Sequence, residues 1–176
     1  FGFALTIQGI YALAAFYFLA VEYSAPPLRF KTTPFLDSLS NGLYVLPGVV
    51  AYIAIAGESP PLLAVAGGWL WTMGMHTFSA VPDIEPDREA GIDTTATVLG
   101  GRWTLVYCGA VWLAAAALMG LLHPFLGAVF GAYPVLTVLF ALSSVSVDRA
   151  YWWFPVINTV AGAALTMGGV WVVLYA

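Results

Sequence analysis

Charge is what this chain has least of. Only 8% of its 176 residues are Asp, Glu, Lys or Arg, while 61% are hydrophobic, and the mean hydropathy is +0.91. A soluble domain is about one quarter charged, so a water-soluble globule is excluded and the outer surface must face lipid. The five basic residues and net charge of −4 leave no basic patch for nucleic acid. The single cysteine, Cys108, excludes an intrachain disulfide and, set in an apolar run, reads as a small buried residue. No charged residue stands near the middle of any long apolar run, which argues against an ion or proton pathway. The chain opens on Phe1, in an apolar stretch without a basic leader. We therefore expect a C-terminal part of a longer domain.

What is there is a series of apolar runs. Six stretches are long enough to cross a bilayer, roughly 1–22, 35–56, 61–80, 98–122, 125–146 and 152–175, separated by breaks rich in Pro, Gly or charge. Backbone groups cannot stay unpaired in hydrocarbon, so the expected fold is all-α, a polytopic transmembrane helix bundle. Pro47, Pro134 and Pro155 fall inside these runs and should kink them. Gly127 and Gly131 form a small-xxx-small pair suited to close helix approach. With six crossings, the first, third and fifth breaks share one side of the membrane. Arg29, Lys31, Arg88, Arg102 and Arg149 all lie there, as do all the acids but Glu58, and the positive-inside rule makes that side cytoplasmic.

One short segment gathers most of the acid. VPDIEPDREAG carries Asp83, Glu85, Asp87 and Glu89, with Asp93 close behind. Asp83 and Asp87 are four apart, so on a helix they share a face. Pro82 and Pro86 argue for a tight bend that leads into a short helix, since Pro suits a first turn but not a helix interior. Clustered carboxylates repel unless a cation compensates. Hard oxygen ligands suit Mg2+, which takes one or two carboxylates together with substrate phosphates. An EF-hand is excluded, because Arg88 stands where the loop needs Gly and Thr94 where it needs the closing Glu. A solvated acidic loop that keeps the connection out of the bilayer is the plainer alternative.

On the same side, YSAPPLRFKTTPF brings Arg29 and Lys31. After Pro26-Pro27 an extended entry is expected, which points residues 29 and 31 the same way. Arg as a planar fork and Lys as a point charge suit a diphosphate. Topology-setting charge would account for them equally. Carboxylates for Mg2+ and cations for phosphate, at the mouth of a lipid-bathed bundle, together suggest a substrate with a diphosphate head and an apolar tail.

With YSAPPLRFK, PFLDSLSNGLYVLPG and FSAVPDIEPDREAGIDTTATVLG in order, the chain resembles the UbiA superfamily of membrane prenyltransferases, and within it the haloarchaeal lycopene elongase/hydratase group. The resemblance implies nine spans, of which residues 1–176 would be the last six, and two aspartate-rich motifs. The second matches Asp83 and Asp87; the first would lie upstream. It implies Mg2+ held by Asp83, Asp87 and Glu85, a diphosphate bound by Arg29, Lys31, Arg88 and Asn41, and a cation or acceptor pocket near Tyr44, Phe78 and His76. It also implies dimethylallyl diphosphate as donor and lycopene as acceptor, as in bacterioruberin synthesis. Many relatives carry Tyr and Lys eight and four residues before the first Asp of this motif. Met75 and Ser79 stand there, which weakens a phenol acceptor and favours a hydrocarbon. Two other readings share these residues: a prenyltransferase for ether lipid, quinone or chlorophyll tails, and a non-catalytic transporter or scaffold with a cation-binding loop.

Overall fold

The structure, a computed structural model, describes residues 6–143 and 146–175, and these are helical with short connections. Helix α1 (Ile7–Ser24) starts at Thr6, whose hydroxyl accepts from the Gly9 N–H at 3.3 Å. The next apolar run is not one rod. It comprises α2 (Leu36–Leu39), a 3-10 segment (Ser40–Val45) and α3 (Leu46–Ala56), which closes on Gly57 in the left-handed region. Pro47 therefore sits in the first turn of α3, where its missing N–H costs nothing, and the irregularity lies before it. Helix α4 (Leu62–Ser79) leads through a bend into the six-residue α5 (Ile84–Glu89).

Helix α6 (Thr95–Leu122) begins three residues earlier than its hydropathy suggests. Thr94 and Thr97 form a reciprocal capping box there, which satisfies two N-terminal N–H groups. Gly100, at φ 71 and ψ 163, kinks α6 just after its first turn. Helices α7 (Pro124–Leu142) and α8 (Val147–Tyr175) keep Pro134 and Pro155 inside them. Four segments, Leu36–Ala56, Thr95–Leu122, Pro124–Leu142 and Arg149–Tyr175, are long and apolar enough to cross a membrane. The other two long helices, α1 and α4, have 18 residues each, about 27 Å of helix.

Helix α6 packs chiefly on α4 and α7, and α1 on α3. Lipid tails are as apolar as Leu, so close fit rather than water exclusion must hold such helices together. Two glycines provide that fit. A Cβ at Gly74 of α4 would stand 2.4 Å from Trp112 Nε1, and one at Gly42 would fall inside the Trp69 ring. Trp112 then anchors a buried aromatic cluster with Phe78, Tyr133 and Phe154. The Phe78 and Phe154 centroids are 4.3 Å apart, and the Trp112 ring stacks on Phe154 at 5.8 Å. Such pairs contribute about 0.5–1.5 kcal/mol each beyond their contact area. Of the Gly127 and Gly131 pair expected to let a helix approach closely, Gly127 of α7 does so, meeting Gly120 of α6, where a Cβ would be 2.7 Å from the Gly120 Cα, while Gly131 faces open space.

Candidate functional site

The bend after α4 is what creates the site. Pro82 and Pro86 stop α4 from running on, and Asp83 becomes the residue preceding α5, with Pro86 in that helix's first turn. The Asp87 N–H donates to the Asp83 carbonyl at 2.8 Å, one helical turn, and this brings the two side chains to one face. Both line a cavity of about 320 Å3. Arg29 and Lys31 line it too, together with Tyr23, His76 and Ser79.

The two cations reach this cavity by a different backbone route from the extended one expected. Arg29 is in the left-handed region (φ 43, ψ 57), and Lys31 follows within a 3-10 turn, Phe30–Thr32. The coil rather than a strand's alternation turns both toward the carboxylates. Left-handed backbone is unusual for a residue with a Cβ, and such strain concentrates at functional sites.

Among the described residues the one ion pair is Arg88–Glu85, at 2.8 Å. Arg29, Lys31, Asp83 and Asp87 are thus brought to one cavity without being bridged to each other. Burial, and then the neighbouring Asp83 carboxylate, push the Asp87 pKa above the ordinary carboxylate range. Two unbridged carboxylates and two unbridged cations around one cavity make a place for a cation and an anion together. Two carboxylate donors fit Mg2+ when phosphate oxygens and water complete its shell. Among the described residues no group of three or more His, Cys, Asp or Glu side chains is placed to bind a metal.

The other expected site residues divide. Glu85 and Arg88 are turned to one another, and Arg88 also donates to the Thr97 carbonyl at 2.8 Å; neither is among the residues lining the cavity. His76 and Ser79 line it and also line a second cavity of about 410 Å3 deeper in the bundle. That second cavity is walled by Asn41, Tyr44, Trp71 and Phe154 among others. Asn41 is buried, and its amide donates to the Asp37 carbonyl. Tyr44 is 68% exposed, whereas Phe78 is wholly buried behind the wall, in the aromatic cluster. A third, smaller space of about 120 Å3 continues past Trp71 and Asn158. His76 and Ser79 thus border both the charged cavity and the aromatic-lined one.

Asp37 and Thr95 were not candidates on the sequence. Asp37 is 1% exposed, and its carboxylate accepts from the Thr95 N–H at 3.0 Å and from the Thr95 hydroxyl. The one signal available was an acid at the start of an apolar run, in PFLDSLSN.

A match to the family model for the UbiA prenyltransferase family covers residues 2–167. The chain belongs to the UbiA prenyltransferase family. It is 66% identical over 159 residues to a lycopene elongase/hydratase of Haloferax volcanii, covering 90% of this chain and 53% of that protein. To a lycopene elongase/hydratase of Haloarcula japonica it is 58% identical over 175 residues, covering 99% of this chain and 60% of that protein. The chain thus spans between half and three-fifths of the length of these relatives. Among solved structures it superposes on a UbiA homologue from Archaeoglobus fulgidus, bound to GPP and Mg2+, with TM-score 0.61 and 20% identity, over 91% of this chain and 62% of that one. At that identity the likeness shows the fold, an all-helical UbiA bundle.

Proposed function

We propose that this chain is part of a Mg2+-dependent membrane prenyltransferase that moves a prenyl group from an allylic diphosphate, dimethylallyl diphosphate, to the end of lycopene on the route to bacterioruberin. The observation that carries the reading is the mouth cavity, lined by Arg29, Lys31, Asp83 and Asp87, with an aromatic-lined cavity beside it that shares His76 and Ser79. The names of the haloarchaeal relatives and the ligands of the Archaeoglobus homologue support it. The chain lies in the membrane as six of nine spans, with the cavity on the cytoplasmic face where the basic residues gather. Further metal ligands come from the first aspartate motif that the family pattern puts upstream.

Bound Mg2+ would neutralise the diphosphate and favour its departure. Arg29 and Lys31 orient the diphosphate and take up the charge that grows on it. The donor C–O bond breaks with its electron pair leaving on the diphosphate. The aromatic faces of Trp71, Tyr44 and Phe154 line the space in which the allylic cation stands, and favour positive charge there. The terminal double bond of the acceptor supplies the electrons of the new C–C bond and becomes a tertiary cation. Water adds to that carbon and loses a proton; His76, at the junction of the two cavities, is the group placed to take it.

The test is an acceptor panel with the full-length enzyme in liposomes, isotope-labelled dimethylallyl diphosphate and Mg2+. Label appearing in a hydrated lycopene product, and not in quinone, chlorophyll or glyceryl-ether acceptors, is the expected result. Transfer to one of those acceptors instead would move the protein to another branch of the family. Mg2+ binding without diphosphate release would favour a non-catalytic role.

A further inference from the structure

We propose that Asp37 and Thr95 form a positioning clasp that sets the separation of the two arms of the mouth cavity, the cation arm (residues 29–37) and the carboxylate arm (residues 83–95). The proposal rests on the diphosphate reading above.

Desolvating a carboxylate is costly unless hydrogen bonds replace its water. Both oxygens of the Asp37 carboxylate are accounted for by one residue: Oδ2 accepts from the Thr95 N–H at 3.0 Å, and Oδ1 accepts from the Thr95 hydroxyl. That hydroxyl in turn accepts from the Phe35 N–H at 2.7 Å. Thr95 is the first residue of α6 and directly follows Thr94, which lines the cavity. Phe35 and Asp37 follow by a few residues Lys31, which lines the same cavity. Among the described residues, these three are the hydrogen bonds that cross between the arms, and all run through Thr95. No ion pair ties Arg29 or Lys31 to Asp83 or Asp87, so the opposed charges themselves do not fix the gap.

The cation-arm end of the clasp is itself braced. The Asp37 N–H donates to the Thr33 carbonyl at 2.9 Å, and its carbonyl accepts from Asn41. Next to it, Ser38 bonds Tyr107 of α6 at 2.9 Å and accepts from Thr77 of α4 at 2.8 Å. The clasp therefore connects the arms to the rigid α4–α6 pair. A charged acceptor makes shorter and stronger bonds than a neutral one, which is a reason for an acid at a position that does not line the cavity. A diphosphate bridging cations on one arm and metal-bearing carboxylates on the other depends on that gap. The aromatic-lined cavity borders the clasp only through Asn41, which bonds the Asp37 backbone carbonyl and not its carboxylate.

The experiment uses the full-length enzyme with nitroxides on two exposed positions, one directly before the cation arm and one on the carboxylate arm, introduced as Leu28→Cys and Glu89→Cys. Pulsed EPR should give a narrow distance distribution for the parent and for Thr95→Ser, which keeps the hydroxyl. Asp37→Asn and Thr95→Val should broaden it. In steady-state assays on the unlabelled enzymes, those two variants should raise the KM for the diphosphate donor about tenfold and leave the acceptor KM within twofold, with Thr95→Ser near the parent. Thr95→Val keeps the volume and the Asp37 charge, so it carries the test if Asp37→Asn does not reach the membrane. A narrow distribution retained in both variants, or donor and acceptor KM rising together, overturns the clasp. Failure of the functional reading looks different: a parent enzyme with no prenyl transfer leaves the EPR distances to decide the clasp alone.

Discussion

The groove between α6 and α7 has more than twice the volume of the mouth cavity, about 820 Å3 against about 320 Å3, yet it has none of the chemistry. Its one charged lining residue is Arg102, and the rest of its wall is nearly all apolar, including Leu113, Val138 and Leu142. The mouth cavity holds two cations and two carboxylates within less than half the space. Volume in a membrane protein follows from helices that splay, and a lipid tail fills it at little cost. Charge at the mouth of a bundle must be held against self-repulsion and desolvation, so it persists only where something uses it. The smaller space is therefore the one we propose as the site.

That contrast can be broken most directly at its strongest point. Asp83→Ala or Asp87→Ala in the full-length enzyme should lower prenyl transfer by roughly a hundred- to a thousandfold, the scale of losing one preorganised electrostatic group; wild-type turnover in either would remove these residues from the site. Arginines at the two places give the next test. Arg29→Ala should lower kcat/KM for the diphosphate donor by about ten- to a hundredfold, the scale of one charge-assisted hydrogen bond, whereas Arg102→Ala should leave it within twofold. Equal losses would mean that general positive charge, rather than the mouth, recruits the donor.

Packing offers a similar pair. Gly42→Ala puts a methyl into the Trp69 ring, which is tethered through its N–H to the Leu39 carbonyl at 2.9 Å. It should destabilise the protein by about 1–3 kcal/mol, read as a lower melting temperature, while Gly131→Ala, in open space, should not. The smallest effect concerns Asp87. Its raised pKa means that the folded protein holds that proton more tightly than the unfolded chain does. Without metal, stability should then fall as pH rises from the ordinary carboxylate range through the Asp87 value. On the proposed reading Mg2+ takes the place of that proton, so it should raise the melting temperature at neutral pH and have no effect below about pH 3, where carboxylates are protonated.

Much of this was legible in the residue order. The apolar runs mark the helices, because each is interrupted by Pro, Gly or charge. Asp83 and Asp87 stand out because a helical turn separates them in an otherwise uncharged neighbourhood, and Pro82 and Pro86 announce the bend that sets them at a mouth. Other features were illegible for definite reasons. Arg29 and Lys31 converge through a left-handed residue and a 3-10 turn, a backbone choice that no side-chain alternation encodes. Glu85 and Arg88, equal in type to the residues that line the cavity, pair with each other three positions apart, and only the direction of α5 decides it. The close glycine contact uses Gly120 and Gly127 because helix crossing, not spacing along one helix, selects which small residues meet.

The sequence alone determined that this is a bundle of apolar helices with little charge, because hydrocarbon tolerates no unpaired backbone and few charged groups. It also determined the family, through a string of residues around one aspartate pair. Tertiary structure decided which charged residues share a cavity, and turned an acid at position 37 into a buried partner of Thr95, 58 residues away. That contact exists only once α2 and α6 are packed, since burial is a property of neighbours in space and not of neighbours in the chain.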